Sequence, residues 1–169
     1  VTENDFWQLV SRTSAEQDEQ SLVTALTQAL TALDDQQLAE FDVYFSKQMR
    51  RAYTWPMWGA AFVLTGCDNE YAFAEFRCFL ISLGKTWFER ILVEPDYLAE
   101  LPQFPMRDNF PYPFVDEYDL VAGKIYEDRT GEELPFVPST GNRPAGKKFD
   151  DRKKMLLKHY PGLCQRFPF

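Results

Sequence analysis

Histidine is almost missing from this sequence. The single example, His159, lies between Lys158 and Tyr160 in a basic segment that reads as solvated surface. A Ser-His or Cys-His nucleophilic site would have to use it, so that chemistry has little to build on. Cysteine is nearly as scarce: Cys67, Cys78 and Cys164 form no CxxC pair, and any disulfide would leave one thiol over. Reduced thiols in a cytoplasmic protein are the expectation, with Cys67 and Cys78 as small core residues. One histidine and three dispersed cysteines also exclude the common zinc sites, and no metal or other cofactor is expected. Among the eight glycines, Gly141 and Gly146 bracket the one cluster that could be weighed as a phosphate loop. The strand and helix context such a loop needs is absent. The longest apolar run, Met57 to Leu64, is far too short to span a bilayer, so no membrane association is expected. Positive charge is sparse outside one segment. Phosphate backbones would be repelled by a chain of net charge −8, which argues against nucleic acid as a partner.

Aromatic side chains, by contrast, are plentiful, at 16% of residues with 15 phenylalanines. A disordered chain would not carry them, and 169 residues suffice for one domain with a real core. The charge is unevenly spread. Val1 to Arg50 carries nine acidic residues against three basic ones. The tail from Gly146 to Phe169 carries Lys147, Lys148, Arg152, Lys153, Lys154, Lys158 and Arg166 against Asp150 and Asp151. The tail is expected to fold back onto the acidic body, giving a single domain over 1–169 with 146–169 packed on it.

Periodicity is helical throughout. Thr2 and Asp5 form a capping-box variant ahead of Phe6, Trp7 and Val10, and Ser14 to Gln17 repeats that logic before Leu22, Leu26, Leu30 and Leu33. Asp34 or Asp35 caps a third helix with Leu38, Phe41, Phe45, Met49 and Ala52 inside, and the short connection predicts antiparallel packing of helices two and three. Pro56 suits the first position of a fourth helix that ends at Gly66. Asp68 or Asn69 caps the fifth, whose core face is Phe73, Phe76, Arg77, Leu80 and Ile81. Gly84 separates it from a sixth helix, bearing Trp87, Phe88, Ile91 and Leu92, which Glu94-Pro95 stops. The segment Pro102–Pro113 predicts an extended loop pinned by Phe104, Phe110 and Tyr112. A helix with Tyr118, Val121, Ala122, Ile125 and Tyr126 follows, then a second Pro/Gly loop over 131–146. The last helix covers 150–159, and Pro161-Gly162 turns the chain end. No segment alternates strongly enough for a sheet. The expected fold is an all-α bundle of seven to eight helices with two proline-rich ordered loops.

Polar groups gather at the corner between helices four and five, within the aromatic stretch from Tyr53 to Gly84. Asp68, Asn69 and Glu70 would hold a cation or a polar ligand, or would simply cap helix five and complement its dipole. Arg77 on an apolar face must reach solvent or find a carboxylate and carbonyl partners inside the protein, an internal ion pair being the expected outcome, or else serve an anion or a partner protein. Tyr53, Trp55 and Trp58 beside the corner are core, or they line a pocket. The candidate ligand- or partner-binding set is therefore Tyr53, Trp58, Asp68, Asn69 and Arg77, with no catalytic residue and no metal ligand assigned.

Certain motifs resemble a known pattern: Phe6-Trp7, Leu9-Val10, Ala52-Tyr53, Trp55, Trp58, Ala60-Ala61, Gly66-Cys67-Asp68, Phe73, Phe76-Arg77, Leu80-Ile81, Gly84, Pro95-Asp96 and Leu98. Together with Thr130 to Pro135, Phe149-Asp150-Asp151 and Pro161-Gly162-Leu163, they resemble a bacterial family of uncharacterised domains sometimes fused to WGR domains. That family usually spells the corner Gly-Gly-Cys-Ser-Asp-Asp, where this chain has Thr65 to Glu70. The resemblance implies a helical, cytosolic bacterial domain and brings no activity with it. The leading functional expectation is a non-enzymatic domain that binds a protein partner, as an immunity protein or antitoxin neutralises a basic toxin or effector. The alternative is a small-molecule or nucleotide site at the corner, with or without catalysis.

Overall fold

The computed structural model describes residues 1–169; its regular structure is almost entirely helical, and the first five helices start at short-range side-chain caps. In α1 (Glu3–Val10) the Thr2 hydroxyl accepts from the Asp5 amide at 3.1 Å while the Asp5 carboxylate accepts from the Thr2 amide at 2.8 Å. The second helix starts later than the Ser14–Gln17 pattern suggests. The Gln17 side-chain oxygen accepts from the Thr13 and Ser14 amides, closing a turn, and Asp18 caps α2 (Glu19–Thr31) instead. Asp34 and Gln37 form a reciprocal cap on α3 (Asp35–Arg51). Thr54 caps α4 (Trp55–Thr65), with Pro56 in its second position rather than its first, and Gly66 closes it at φ +72°. Asn69 caps α5 (Glu70–Ser82), and α6 (Lys85–Val93) follows Gly84. A 3-10 run, Pro95–Glu100, leads into the first proline-rich loop, and α7 (Val121–Thr130) follows that loop. The chain finishes with α8 (Lys153–His159) and α9 (Pro161–Arg166), so Pro161 opens one more helix where a terminal turn was expected. No helix is long and apolar enough to cross a membrane.

The all-α class holds, with one small addition. Met106–Arg107 (β1) pairs antiparallel with Phe110–Pro111 (β2) around Asp108 and Asn109, both at positive φ. Two consecutive positive-φ residues are the signature of a tight hairpin turn, which Asp and Asn tolerate well. Of the three aromatics expected to pin this segment, Phe104 is half-buried and packs on Phe79 and Phe167, and Tyr112 stacks under Arg107. Phe110, 72% exposed, pins nothing.

All 36 buried apolar residues join one cluster, which makes a single core. α7 packs against both α2 and α3, whereas α2 and α3 make no comparable contact with each other. The short junction at Ala32–Asp34 brings only their ends together, and α7 fills the space between them. Distant arginines cap the ends of several elements. Arg129 donates to Thr31 O and Leu33 O at 2.6 Å each, Arg77 to Met49 O at 2.8 Å, and Arg166 to Ala99 O at 2.7 Å and to Leu101 O. Each satisfies carbonyls that a terminating helix leaves without partners.

The tail lies against α4 and the 3-10 run. Charge pairing is not what holds it: Arg152 is its only ion-paired basic residue, and its partner, Asp150, lies in the tail as well. Burial of Leu156, Tyr160, Leu163 and Cys164 does the work instead. Asp96 adds to it by accepting from the Gly162 and Leu163 amides at 2.9 Å each.

One carboxylate, Asp42, is built in at a cost to stability. Burial, and then repulsion from Asp119, push the Asp42 carboxyl up to about 6. The folded protein therefore binds this proton more tightly than the unfolded chain, and stability through Asp42 falls as pH rises from about 4 to about 7. Asp42→Asn is expected to stabilise the protein at pH 8 by about 1 kcal/mol, after allowance for partial solvent access, and to have no effect near pH 4. Urea melts at the two pH values measure this; equal effects at both would refute it.

Candidate functional site

The corner is assembled from the indole outward. Trp58 Nε1 donates to Cys67 O at 3.0 Å, tying the α4 face to the turn that follows it. The Trp58 ring stacks on Phe73 at 4.5 Å and on Trp55 at 5.4 Å. Cys67 is buried behind this turn, and its thiol is pushed up to about 11, chiefly by burial. Such a thiol is protonated at neutral pH and is not a nucleophile. Asn69 spends its side-chain oxygen on the Ala72 amide at 2.9 Å, as an N-cap does. Asp68 is exposed and accepts only from Asn69, at 3.3 Å.

Arg77 has no carboxylate partner, contrary to the ion pair its sequence context suggests. It is 1% exposed, and its guanidinium donates to Met49 O at 2.8 Å, Ser139 O at 3.1 Å and Phe73 O at 3.4 Å. The cation also sits 4.8 Å from the ring centres of both Tyr53 and Phe73. The carbonyl at the end of α3 and two aromatic faces take the place of an anion, because a helix C-terminus already carries partial negative charge. The Tyr53 hydroxyl donates to Glu70 Oε1 at 2.7 Å. Its pKa is raised to about 12 by burial first and by Glu70 second.

A cleft of about 1010 Å³ opens beside this corner. One wall is the start of α4 with Cys67 and Asp68, a second is Glu94–Asp96, and the third is the tail from Lys147 to Tyr160. Its floor is aromatic: Phe149 lies 5.3 Å from Phe62 and 6.2 Å from Trp55, and Lys148 Nζ stands 5.4 Å over the Trp55 ring. Five carboxylates (Asp68, Glu94, Asp96, Asp150, Asp151) and two lysines (Lys147, Lys148) line it, together with His159. Asp150 is held down at about 2 by its hydrogen bonds from Arg152. No three His, Cys, Asp or Glu side chains converge as metal ligands.

Of the five residues singled out from sequence, Trp58 and Asp68 line the cleft. Asn69 serves the α5 cap, while Tyr53 and Arg77 meet on Phe73 and reach no part of the cleft wall. Sequence reasoning missed Glu94 and the tail residues as cleft lining; His159, read as solvated surface, is exposed at the cleft's edge. The tail's one audible signal is Phe149, an aromatic amid charge, which is where a basic segment meets the body.

The family model described as "Protein of unknown function (DUF4240)" matches residues 1–128, and the chain belongs to that family. The match takes in two of the three cleft walls and stops ahead of the tail. Neither the curated proteins nor the solved structures hold a match to this chain.

Proposed function

We propose that this DUF4240 protein is a binding domain that receives a basic segment of a partner protein in the aromatic cleft. It would act as a bacterial, cytoplasmic immunity or antitoxin protein that neutralises the partner. One observation carries the reading: an aromatic floor ringed by five carboxylates against two lysines, in a chain of net charge −8. Aromatic faces and carboxylates together favour lysine and arginine side chains. The protonated Cys67 thiol supports binding over thiol chemistry. The resemblance to bacterial domains sometimes fused to WGR domains supports the cellular setting.

A short lysine/arginine peptide is the first probe, titrated at low and high salt. Binding is expected to weaken with salt, and by about tenfold or more in the Asp68→Lys/Glu94→Lys double variant, because both carboxylates are exposed rim groups. Unchanged affinity in that variant, or tighter binding of an acidic peptide, would sink the proposal. A stoichiometric basic protein co-purifying from the native cell, and lost in the same variant, would identify the partner.

A second reading rests on Lys148 standing over Trp55 with Lys147 beside it. A nucleotide base stacked on Trp55 would bring its phosphates to those lysines. A rise in Tm with ATP that disappears in Lys147→Glu/Lys148→Glu would favour it over the peptide.

A further inference from the structure

A second, smaller pocket shares no residue with the cleft. It holds about 240 Å³ between the Arg12–Ala15 turn, the end of α5, Trp87 of α6 and the segment from Leu101 to Pro105. That is below the ~300–1,000 Å³ of a drug-sized site, so it suits a small molecule. Arg12 is the one charged residue on its walls, in a strongly acidic protein.

Nothing in the protein neutralises that charge. Arg12 forms no ion pair with any of the 26 acidic residues. Nη2 donates to Ser82 Oγ at 2.8 Å, Nη1 reaches Gln17 O only at 3.4 Å, and the buried Nε has no partner at all. A guanidinium offers about five N–H donors, so most of its capacity is unspent. Its other neighbour is the Phe79 ring, 5.4 Å away. Burial lowers the pKa of Arg12, consistent with a cation that lacks an anion. Ser14 Oγ accepts from the Glu16 amide at 3.2 Å and keeps its own proton free, and exposed Gln103 adds an unpaired amide at the rim. The remaining surface is mostly apolar: Phe79, Leu83, Trp87, Pro102 and Pro105.

We propose that this pocket binds a small organic carboxylate, its charged end at Arg12 and Ser14 and its apolar body against Phe79, Trp87 and the prolines. An arginine facing a lone carboxylate forms strong charge-assisted hydrogen bonds. Inorganic phosphate fits less well, because a single cation among apolar walls would leave most of its oxygens without donors.

The test is calorimetric titration of the intact protein with benzoate, benzamide and inorganic phosphate at matched ionic strength. Benzoate should bind saturably and benzamide at least about tenfold more weakly, a difference of about 1.4 kcal/mol. Ala15→Glu sets a carboxylate beside the guanidinium at an exposed wall position. It should abolish benzoate binding with Tm unchanged, and Arg12→Met should abolish it too. Equal binding of benzoate and benzamide would overturn the proposal, as would no saturable benzoate binding, tighter binding of phosphate, or wild-type affinity in Ala15→Glu.

Discussion

Gly59→Ala is expected to cost about 3 kcal/mol of stability and to loosen the tail from the cleft. A methyl group at Gly59 would lie 2.1 Å from the Tyr160 hydroxyl and 2.8 Å from the ring carbon that bears it. Those distances are far inside van der Waals contact. The ring cannot retreat cheaply, because Tyr160 is 5% exposed and its hydroxyl donates to Pro56 O at 2.7 Å. Overpacking of this kind costs ~1–3 kcal/mol, and the lost hydrogen bond adds about 1 kcal/mol. Urea melts measure the loss. Tyr160→Phe supplies the control: alone it should cost about 1 kcal/mol, and the double variant should be more stable than the sum of the singles. Strict additivity would show that the methyl and the hydroxyl do not compete for the same space. Because Tyr160 and Phe149 form one wall of the cleft, Gly59→Ala should also weaken the basic-peptide probe in whatever fraction stays folded.

The contact between Gly59 and Tyr160 illustrates where sequence reading stops. Helix starts are local: Thr2 with Asp5, Asp34 with Gln37 and Asn69 with Ala72 each lie three residues apart, and their chemistry is visible in a short window. Apolar spacing likewise locates the inward faces of α1, α3 and α5. The Asp108-Asn109 turn is also local, and its chemistry was legible though the proline content masked it. A glycine inside α4 gives no sign that a tyrosine 101 positions later needs its space. Nor does periodicity say which surface a basic tail will cover, so the third wall of the cleft stayed hidden. Half-legible cases are the most instructive. The corner at Asp68 and the stacking of Trp58 follow from residues close in sequence, whereas Arg77 is satisfied away from the cleft by carbonyls as distant as Ser139 O.

Arg77→Met should lower stability by about 3 kcal/mol, and Arg77→Ala by up to about 5 kcal/mol through the added cavity. Methionine keeps much of the apolar stem but donates nothing, so Met49 O loses its partner at the end of α3, where no backbone amide replaces it. Ser139 O, in a half-buried loop, can turn to water more easily, so most of the loss is assigned to Met49. Removing a cation from a helix C-terminus and from two aromatic faces adds to the cost. Against this stands the relief of no longer burying a charge, which keeps the total below a simple sum of lost contacts. Arg77→Lys should fall between wild type and Met, since an ammonium can reach one carbonyl but cannot lie flat against Tyr53 and Phe73. The same series separates a structural arginine from a binding one. If Arg77 acts only by closing α3 and holding the Ser139 loop, Arg77→Lys will shift the urea midpoint and leave the affinity of the cleft for the basic probe as it was. Unaltered stability with lost affinity would reverse that assignment and return Arg77 to the binding surface.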